Sequence, residues 1–119
     1  MQPKAQKLLE DILDAAAFSL QVTRSKALTD YESDRLLRQA VERNLEIIGE
    51  AVGRLARDDP QTAGRIGEYR HIIAFRNVLI HGYDLLDQAR VWQVITDDLP
   101  RLERQVTELL AESKSQEAK

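Results

Sequence analysis

The chain has 119 residues, a formal net charge of −3, 43% hydrophobic and 31% charged residues, and no cysteine. These values are typical of one soluble globular domain, and they exclude disulfides, thiolate metal sites and a basic nucleic-acid-binding surface spread over the whole chain. No apolar run approaches the roughly 20 residues of a membrane-spanning helix. The N-terminus lacks the apolar core of a secretory signal, so we expect a cytoplasmic protein with no membrane contact.

Helical periodicity runs through every long segment, and no segment alternates polar and apolar residues as a strand does. The first helix is predicted from about Pro3 to about Arg24. Its apolar stripe consists of Leu8, Leu9, Ile12, Leu13, Ala16 and Leu20.

The second predicted helix opens with a capping box of Thr29 and Glu32 and ends near Arg57. Gly49 and Gly53 lie four residues apart within it and indicate close packing against another helix or a slight kink. The stripe is wide enough for more than one neighbour, with the apolar residues Leu37, Val41, Leu45, Ile48, Val52 and Leu55 on one face.

A loop, "DDPQTAGRIGE", separates this helix from a third, which is predicted from about Tyr69 to His81. Gly82 ends that helix, because glycine suits the left-handed position after a helix C-terminus. Asp84 or Asp87 can cap a fourth helix.

Pro100 is expected to interrupt the fourth helix, with Asp97 or Asp98 capping the continuation. We therefore predict an all-α fold, an antiparallel bundle of four to five helices. It forms a single domain over residues 1–112, and residues 113–119 are a polar, frayed tail.

The stretch "FRNVLIHGYD", residues 75–84, places Arg76, Asn77, His81 and Tyr83 among apolar residues. The simplest interpretation is an ordinary helix end, in which a histidine and a glycine close the last turn. Arg76 would then lie along the surface or pair with a carboxylate such as Glu68.

A functional interpretation starts from the helical spacing of these residues. At about 100° per residue, Asn77 and His81 lie within roughly 40° of each other, so the amide can orient the imidazole. Arg76 lies roughly 140° from His81 on the same helix. Two copies of the helix that meet across a dimer would bring these groups together better than one copy does.

Histidine can act as general base or acid near neutral pH, and arginine is a permanent, fork-shaped cation that fits a phosphate. Together with Asn77, these groups suit metal-independent RNA cleavage, in which the ribose 2′-hydroxyl attacks its own phosphodiester. His71 and His81 are ten residues apart, and no HExxH pattern accompanies them. We therefore predict no metal and no cofactor.

The segment "RNVLIHGY", an Arg-x4-His-x-Tyr pattern, resembles the signature of the HepT-like toxins in the HEPN superfamily. The flanking segments "ERNLEIIGEAVGRL" and "YDLLDQARVWQVITDDLPRLERQV" also resemble that family, and the likeness spans about Lys7 to Leu110. The resemblance implies an all-helical homodimer whose paired motifs line a cleft, and a ribonuclease toxin.

The same resemblance implies a partner and a modification. In the family, a minimal nucleotidyltransferase, MntA, acts as the antitoxin and transfers AMP to the motif tyrosine. Carried over by position, Arg76 and His81 are catalytic, Asn77 is supporting and Tyr83 is the adenylylated residue. Transfer RNA is a plausible substrate by analogy with relatives, and messenger RNA is an alternative.

Other charged residues have two interpretations each. Glu46 and Glu50 are expected to pair with arginines, and Glu50 is assigned a supporting role in which it positions Arg76. Arg65 and Arg70 are candidate RNA contacts, although exposed solvated charge is the favoured interpretation of both. His71 is interpreted as a surface or packing residue, and Trp92 as a core or interface residue.

Two further functional interpretations stay open at this stage. The chain is alternatively a non-catalytic helical subunit that binds a nucleotidyltransferase and its nucleotide, which the acidic charge favours. The other open interpretation is a purely structural helical module, in which residues 75–84 form an ordinary helix end. The intact set of Arg76, Asn77 and His81 favours the ribonuclease.

Overall fold

The computed structural model describes residues 1–82, 84 and 86–117, and the regular structure in these ranges is helical. The helices in chain order are α1 (Pro3–Thr23), α2 (Leu28–Ser33), α3 (Arg35–Asp58), α4 (Pro60–Ala63), α5 (Tyr69–His81), α6 (Gln88–Gln93), a π-helical segment (Val94–Asp98) and α7 (Leu99–Glu117). The predicted all-α fold is confirmed. None of the described helices has the length and apolarity to span a bilayer.

Helix α3 is the centre of the bundle. It packs against both α1 and α5, and α1 packs in turn against α7. This confirms that the wide stripe on α3 serves more than one neighbour. All six residues of its predicted apolar face are buried, namely Leu37, Val41, Leu45, Ile48, Val52 and Leu55.

The start of α3 differs from the prediction. The capping box of Thr29 and Glu32 is wrong, because α2 begins at Leu28 and the Asp30 side chain accepts a hydrogen bond of 2.8 Å from the backbone N–H of Ala27. The helix then ends at Ser33, and α3 begins at Arg35. Asp34 caps the long helix instead, and its side chain accepts a hydrogen bond of 3.0 Å from the backbone N–H of Leu37. A short aspartate side chain competes with the helical backbone for that N–H, which favours a new helix start over an uninterrupted helix.

The expected interruption at Pro100 is also wrong. Helix α6 continues through the π-helical segment into α7, and Leu99 at the junction keeps helical angles of φ −61° and ψ −41°. Proline lacks an N–H and its ring crowds the carbonyl four residues earlier, here that of Thr96. The wider turn of the π-helix relieves this crowding, so the helix passes the proline without ending.

The two ends of this long helical arm were both predicted, with different outcomes. Asp87 caps α6, because its side chain accepts a hydrogen bond of 2.9 Å from the N–H of Ala89, so Asp87 rather than Asp84 fills the predicted role. At the other end α7 extends to Glu117, and Ser113 is buried. Residues 113–117 are therefore helical rather than the frayed tail that the sequence predicts.

Helix α5 has the predicted bounds, Tyr69–His81. Gly82 follows it and donates a backbone hydrogen bond of 2.9 Å to the carbonyl of Val78. The φ of Gly82 is −115°, so the predicted left-handed conformation is wrong. A Cβ atom at this position would lie 3.2 Å from the Val78 carbonyl oxygen, which is a tight contact and a reason for glycine here.

Candidate functional site

The contact between α5 and α3 is made where Arg76 crosses Gly49. A Cβ atom built on Gly49 would lie 2.4 Å from Cβ of Arg76, 3.0 Å from its Cγ and 3.1 Å from its Cδ. The aliphatic part of Arg76 therefore lies directly on the backbone of α3. Close packing is confirmed at Gly49 but not at Gly53, where a Cβ atom would meet nothing within 4 Å.

The guanidinium end of Arg76 is incompletely paired within one chain. The residue is half-buried, and its Nε atom is buried without a hydrogen-bond partner among the described residues. A buried donor without an acceptor typically costs about 1–3 kcal/mol. Arg76 is thus held in place by its stem, and its head includes a buried donor, Nε, that no acceptor among the described residues satisfies.

His81 lies on a different part of α5. Asn77 and His81 are both exposed, and their spacing places them on one outward face of the helix. No hydrogen bond joins their side chains within the described ranges, although their shared face is as predicted. Arg76 faces α3, so one chain does not bring Arg76 and His81 to a common face.

Tyr83, the predicted site of adenylylation, lies outside the described residues. Its neighbour Gly82 and the last residue of α5, His81, are described. The structure therefore describes the Arg-x4-His-x-Tyr pattern from Arg76 to Gly82.

The glutamates of α3 pair with arginines of their own helix. Glu50 accepts a hydrogen bond of 2.9 Å from Nη2 of Arg54, and Glu46 lies 3.7 Å from Nη1 of Arg43. The predicted arginine partners are confirmed, but Glu50 does not contact Arg76 as expected. Residues four apart share a helix face, whereas Arg76 crosses α3 at Gly49, about 100° around the helix from Glu50.

The two candidate RNA-contacting arginines differ in their surroundings. Arg65 forms a two-bond ion pair with Glu112, with distances of 2.5 and 2.7 Å. This contact holds the pKa of the Glu112 carboxyl below its usual value. Arg70 is exposed, and its guanidinium carbon lies 5.5 Å from the ring centre of Tyr69. Arg70 is the more available of the two for a phosphate.

His71 is a surface residue, as predicted. Its side chain is 80% exposed, and Nδ1 lies 3.9 Å from Oε1 of Glu68. Glu68 also accepts a hydrogen bond of 3.2 Å from Nη2 of Arg101. Glu68 therefore has these partners in place of the predicted pairing with Arg76.

A second cluster, at the junction of α2, α3 and α6, has no counterpart in the predicted site. The ring of Tyr31 is fully buried and meets Trp92 edge to face, with ring centres 5.5 Å apart. Burial raises the pKa of the nearby Glu42 carboxyl, although Arg38 acts in the opposite direction. Trp92 is thus a packing residue, as one of its two predicted interpretations states.

A narrow cleft of about 80 Å³ lies between α3, α5 and the arm formed by the π-helical segment and α7. Its walls are mostly apolar and include Ile48, Ile72 and Phe75. In the part of the chain that the structure describes, no three histidine, aspartate or glutamate side chains are grouped closely enough to hold a metal ion.

The contact between Gly49 and Arg76 is not predictable from the sequence, although each residue is notable by itself. Their 27-residue separation gives no local periodicity that would link them. The glycine in an otherwise strong helical pattern was the available sign, since an interior glycine is unfavourable unless close packing requires it.

Comparison with known proteins matches most of the chain, including helix α5, to one family. Residues 12–109 match the family model described as "Ribonuclease HepT-like". No solved structure matches the chain.

Curated relatives agree with that match. A Caldanaerobacter subterraneus protein named "Putative RNase" is 33% identical over 106 residues, which cover 89% of this chain and 94% of the relative. A Thermococcus cleftensis protein named "Probable ribonuclease HepT" is 34% identical over 94 residues, or 79% of this chain and 84% of the relative. A Methanocaldococcus jannaschii "Putative RNase" is 30% identical over 98 residues, 82% of this chain and 89% of the relative. The chain therefore belongs to the HepT-like ribonuclease family.

Proposed function

We propose that this chain is the toxin of a toxin–antitoxin pair and acts as a homodimeric, metal-independent endoribonuclease. The observation that carries the proposal is the arrangement of α5. Its half-buried Arg76 has an Nε donor without a partner among the described residues, and its last residue, His81, is an exposed imidazole. A phosphate-binding cation and a proton acceptor are the two groups that such a reaction requires.

In the proposed reaction His81 takes the proton of a ribose 2′-hydroxyl, and the 2′-oxygen attacks the adjacent phosphorus. The bond between phosphorus and the 5′-oxygen then breaks. The products are a 2′,3′-cyclic phosphate and a 5′-hydroxyl, which takes up a proton. Arg76 stabilises the extra negative charge on the phosphate oxygens in the transition state. Asn77, on the same face as His81, supports the imidazole or a substrate oxygen.

A dimer supplies what one chain lacks. Arg76 faces α3 and His81 faces outward, so their separation on one helix is unsuited to a shared phosphate. Of the residues in α5 only Leu79 is buried, and Val78 is 44% exposed between the two motif residues. In our proposal a second chain covers the exposed Val78, and the two chains together supply the Arg76 and the His81 of one site.

We assign silencing to a partner nucleotidyltransferase of the MntA type that adenylylates Tyr83. An AMP group on this tyrosine is a phosphodiester with a negative charge and a purine. Because Tyr83 is two residues from His81, the AMP group would occupy the dimer cleft that the paired motifs line. It would also offer Arg76 a phosphate in place of the substrate. Tyr83→Phe should keep cleavage and escape silencing, and silencing of this variant without nucleotide transfer would contradict the role of Tyr83.

The ribonuclease proposal is tested by cleavage of total transfer RNA in EDTA by the purified chain and by His81→Ala. We expect cleavage by the wild type and a loss of about 10²- to 10⁴-fold in the variant, because a positioned general base contributes that much. His81 is exposed, so the variant should melt like the wild type. No cleavage by a folded, unmodified wild-type dimer, or equal cleavage by both proteins, would contradict the proposal.

A second candidate function is a non-catalytic subunit that binds a nucleotidyltransferase. The net charge of −3 and the pairing of Arg65 with Glu112 favour it, because both reduce the positive surface available to RNA. Expression in growing cells separates the two. Growth arrest that is relieved by His81→Ala supports the enzyme, and harmless expression of the wild type supports the subunit.

A further inference from the structure

We infer that Gly49 is a positioning residue for Arg76: its missing side chain is the space in which the stem of the arginine lies. The inference rests on the proposed function, in which Arg76 stabilises the transition state. Gly49 contacts neither substrate nor the reacting atoms, and it acts only through Arg76.

The contact cannot be relieved by a different side-chain rotamer. The closest atom to a Cβ on Gly49 is Cβ of Arg76, at 2.4 Å, and the position of that atom is set by the backbone of α5. Carbon atoms pack at about 3.5–4.0 Å. An alanine at position 49 would therefore push α5 away from α3 by about 1 Å or more, and Cγ and Cδ of Arg76 would move with it.

A displacement of this size matters more for catalysis than for folding. Misplacement of a catalytic group by about 1 Å can lower a rate by about 10²-fold. Arg76 has no hydrogen-bond partner for Nε in the described chain that would pull its guanidinium back. The position of the head is consequently determined by the path of the stem across α3.

Gly53 provides a matched control on the same helix. It lies one turn after Gly49, and a Cβ atom there would meet nothing within 4 Å. Alanine has a higher helix propensity than glycine at both positions. Gly53→Ala should therefore raise the melting temperature slightly and leave RNA cleavage unchanged, whereas Gly49→Ala adds the same methyl group where Arg76 lies.

The test measures kcat, KM and thermal unfolding for the full-length wild type, Gly49→Ala and Gly53→Ala, each alone and combined with Arg76→Gly. We expect Gly49→Ala to lower kcat by about 10- to 100-fold in the wild-type background, with a smaller change in KM. Removal of the side chain at position 76 also removes the clash. In the Arg76→Gly background Gly49→Ala should therefore cause no further loss of rate and no fall in melting temperature.

This design separates positioning from a purely structural role. A loss caused by weaker folding alone would be no larger than the fraction of Gly49→Ala that is unfolded at the assay temperature, and a loss of kcat no larger than that fraction would overturn the inference. So would full activity of Gly49→Ala beside an active wild type. If Gly49→Ala fails to fold, the double variant should fold as Arg76→Gly does, and an unfolded double variant would overturn the inference.

The inference and the proposed function fail in different ways. An inactive wild type contradicts the ribonuclease itself. In that case the unfolding measurements still decide whether residues 49 and 76 are coupled, and the absence of coupling would contradict the geometry on which the inference depends. An active wild type with equally active Gly49→Ala contradicts the inference alone.

Discussion

The two neighbours of α3 contribute to the fold in different ways. Helix α1 has eight buried residues, among them Leu9, Ile12 and Ala16, which are fully buried. Helix α5 has one, Leu79. Helix α3 packs against α1 as part of an apolar core, and it contacts Arg76 of α5 through Gly49. The α1–α3 contact is made by fully buried residues, whereas the α3–α5 contact is made by partly buried apolar residues and by the stem of Arg76 on Gly49.

This difference assigns separate physical roles to the two regions. Apolar area removed from water stabilises the α1–α3 side by about 25 cal/mol per Å². Helix α5 has fewer such contacts, so its position depends on a close backbone approach and, in our proposal, on a second chain. Substitutions in the two regions should accordingly affect different measurements.

The largest expected effect is on catalysis and concerns Arg76. Arg76→Ala should lower kcat by about 10²- to 10³-fold, the usual cost of removing one group that stabilises transition-state charge. Arg70 is exposed on the same helix. Arg70→Ala should raise KM a few-fold, make KM less dependent on salt concentration and leave kcat unchanged. Steady-state cleavage at two salt concentrations measures both, and equal losses of kcat would contradict a special role for Arg76.

The next effect is on folding. Leu55 is fully buried in α3, and Leu55→Ala should lower the free energy of unfolding by about 2–5 kcal/mol through lost burial and a cavity. Val78 lies on the exposed side of α5, so Val78→Ala should lower the free energy of unfolding of the monomer much less. Urea unfolding at low protein concentration measures both variants. Similar losses at the two positions would show that α5 is as much a part of the core as α3.

A smaller effect is expected on self-association. Val78→Asp places a charge on the exposed face of α5 and should weaken the dimer by about 10-fold or more, because an unpaired charge in an interface is unfavourable. Leu36→Asp is the control, since Leu36 is 81% exposed on α3. Sedimentation equilibrium measures both variants. An unchanged dimer in Val78→Asp would place the interface elsewhere.

The smallest effect is on pH dependence and concerns Glu42. Because burial raises the pKa of this carboxyl, the folded state binds more protons than the unfolded state between the ordinary and the raised pKa. Stability therefore falls as pH rises through that window. Glu42→Gln should be slightly more stable than the wild type at neutral pH and equal to it in acid, because the neutral amide has no charge to desolvate. Urea unfolding across pH tests this, and a pH-independent difference would contradict it.

Most of the fold follows from periodic apolar residues. The bounds of α1 and α5 and the buried face of α3 were predictable, because each depends on a pattern within one helix. The break before α3 was not, since Thr29, Asp30 and Asp34 all suit a helix start and local sequence does not rank them. The helix through Pro100 was also unpredictable, because a π-helical turn leaves no mark in apolar periodicity.

The candidate site was predictable in its residues but not in its geometry. Spacing alone showed that Arg76 and His81 diverge on one helix, and the structure places Arg76 towards α3 and leaves His81 exposed. The contact of Arg76 with Gly49 and the pairing of Glu50 with Arg54 depend on how α5 lies on α3. Such contacts between distant segments are set by tertiary packing.

The central claim is that two chains together complete the active site, and a mixed dimer tests it most directly. Arg76→Ala and His81→Ala are co-refolded in equal amounts, and RNA cleavage is compared with that of each variant alone. If the site combines Arg76 of one chain with His81 of the other, each mixed dimer regains one intact site. Half of the dimers are then mixed, and activity returns to about a quarter of the wild-type value. Mixed dimers that form but remain as inactive as the separate variants would contradict the account.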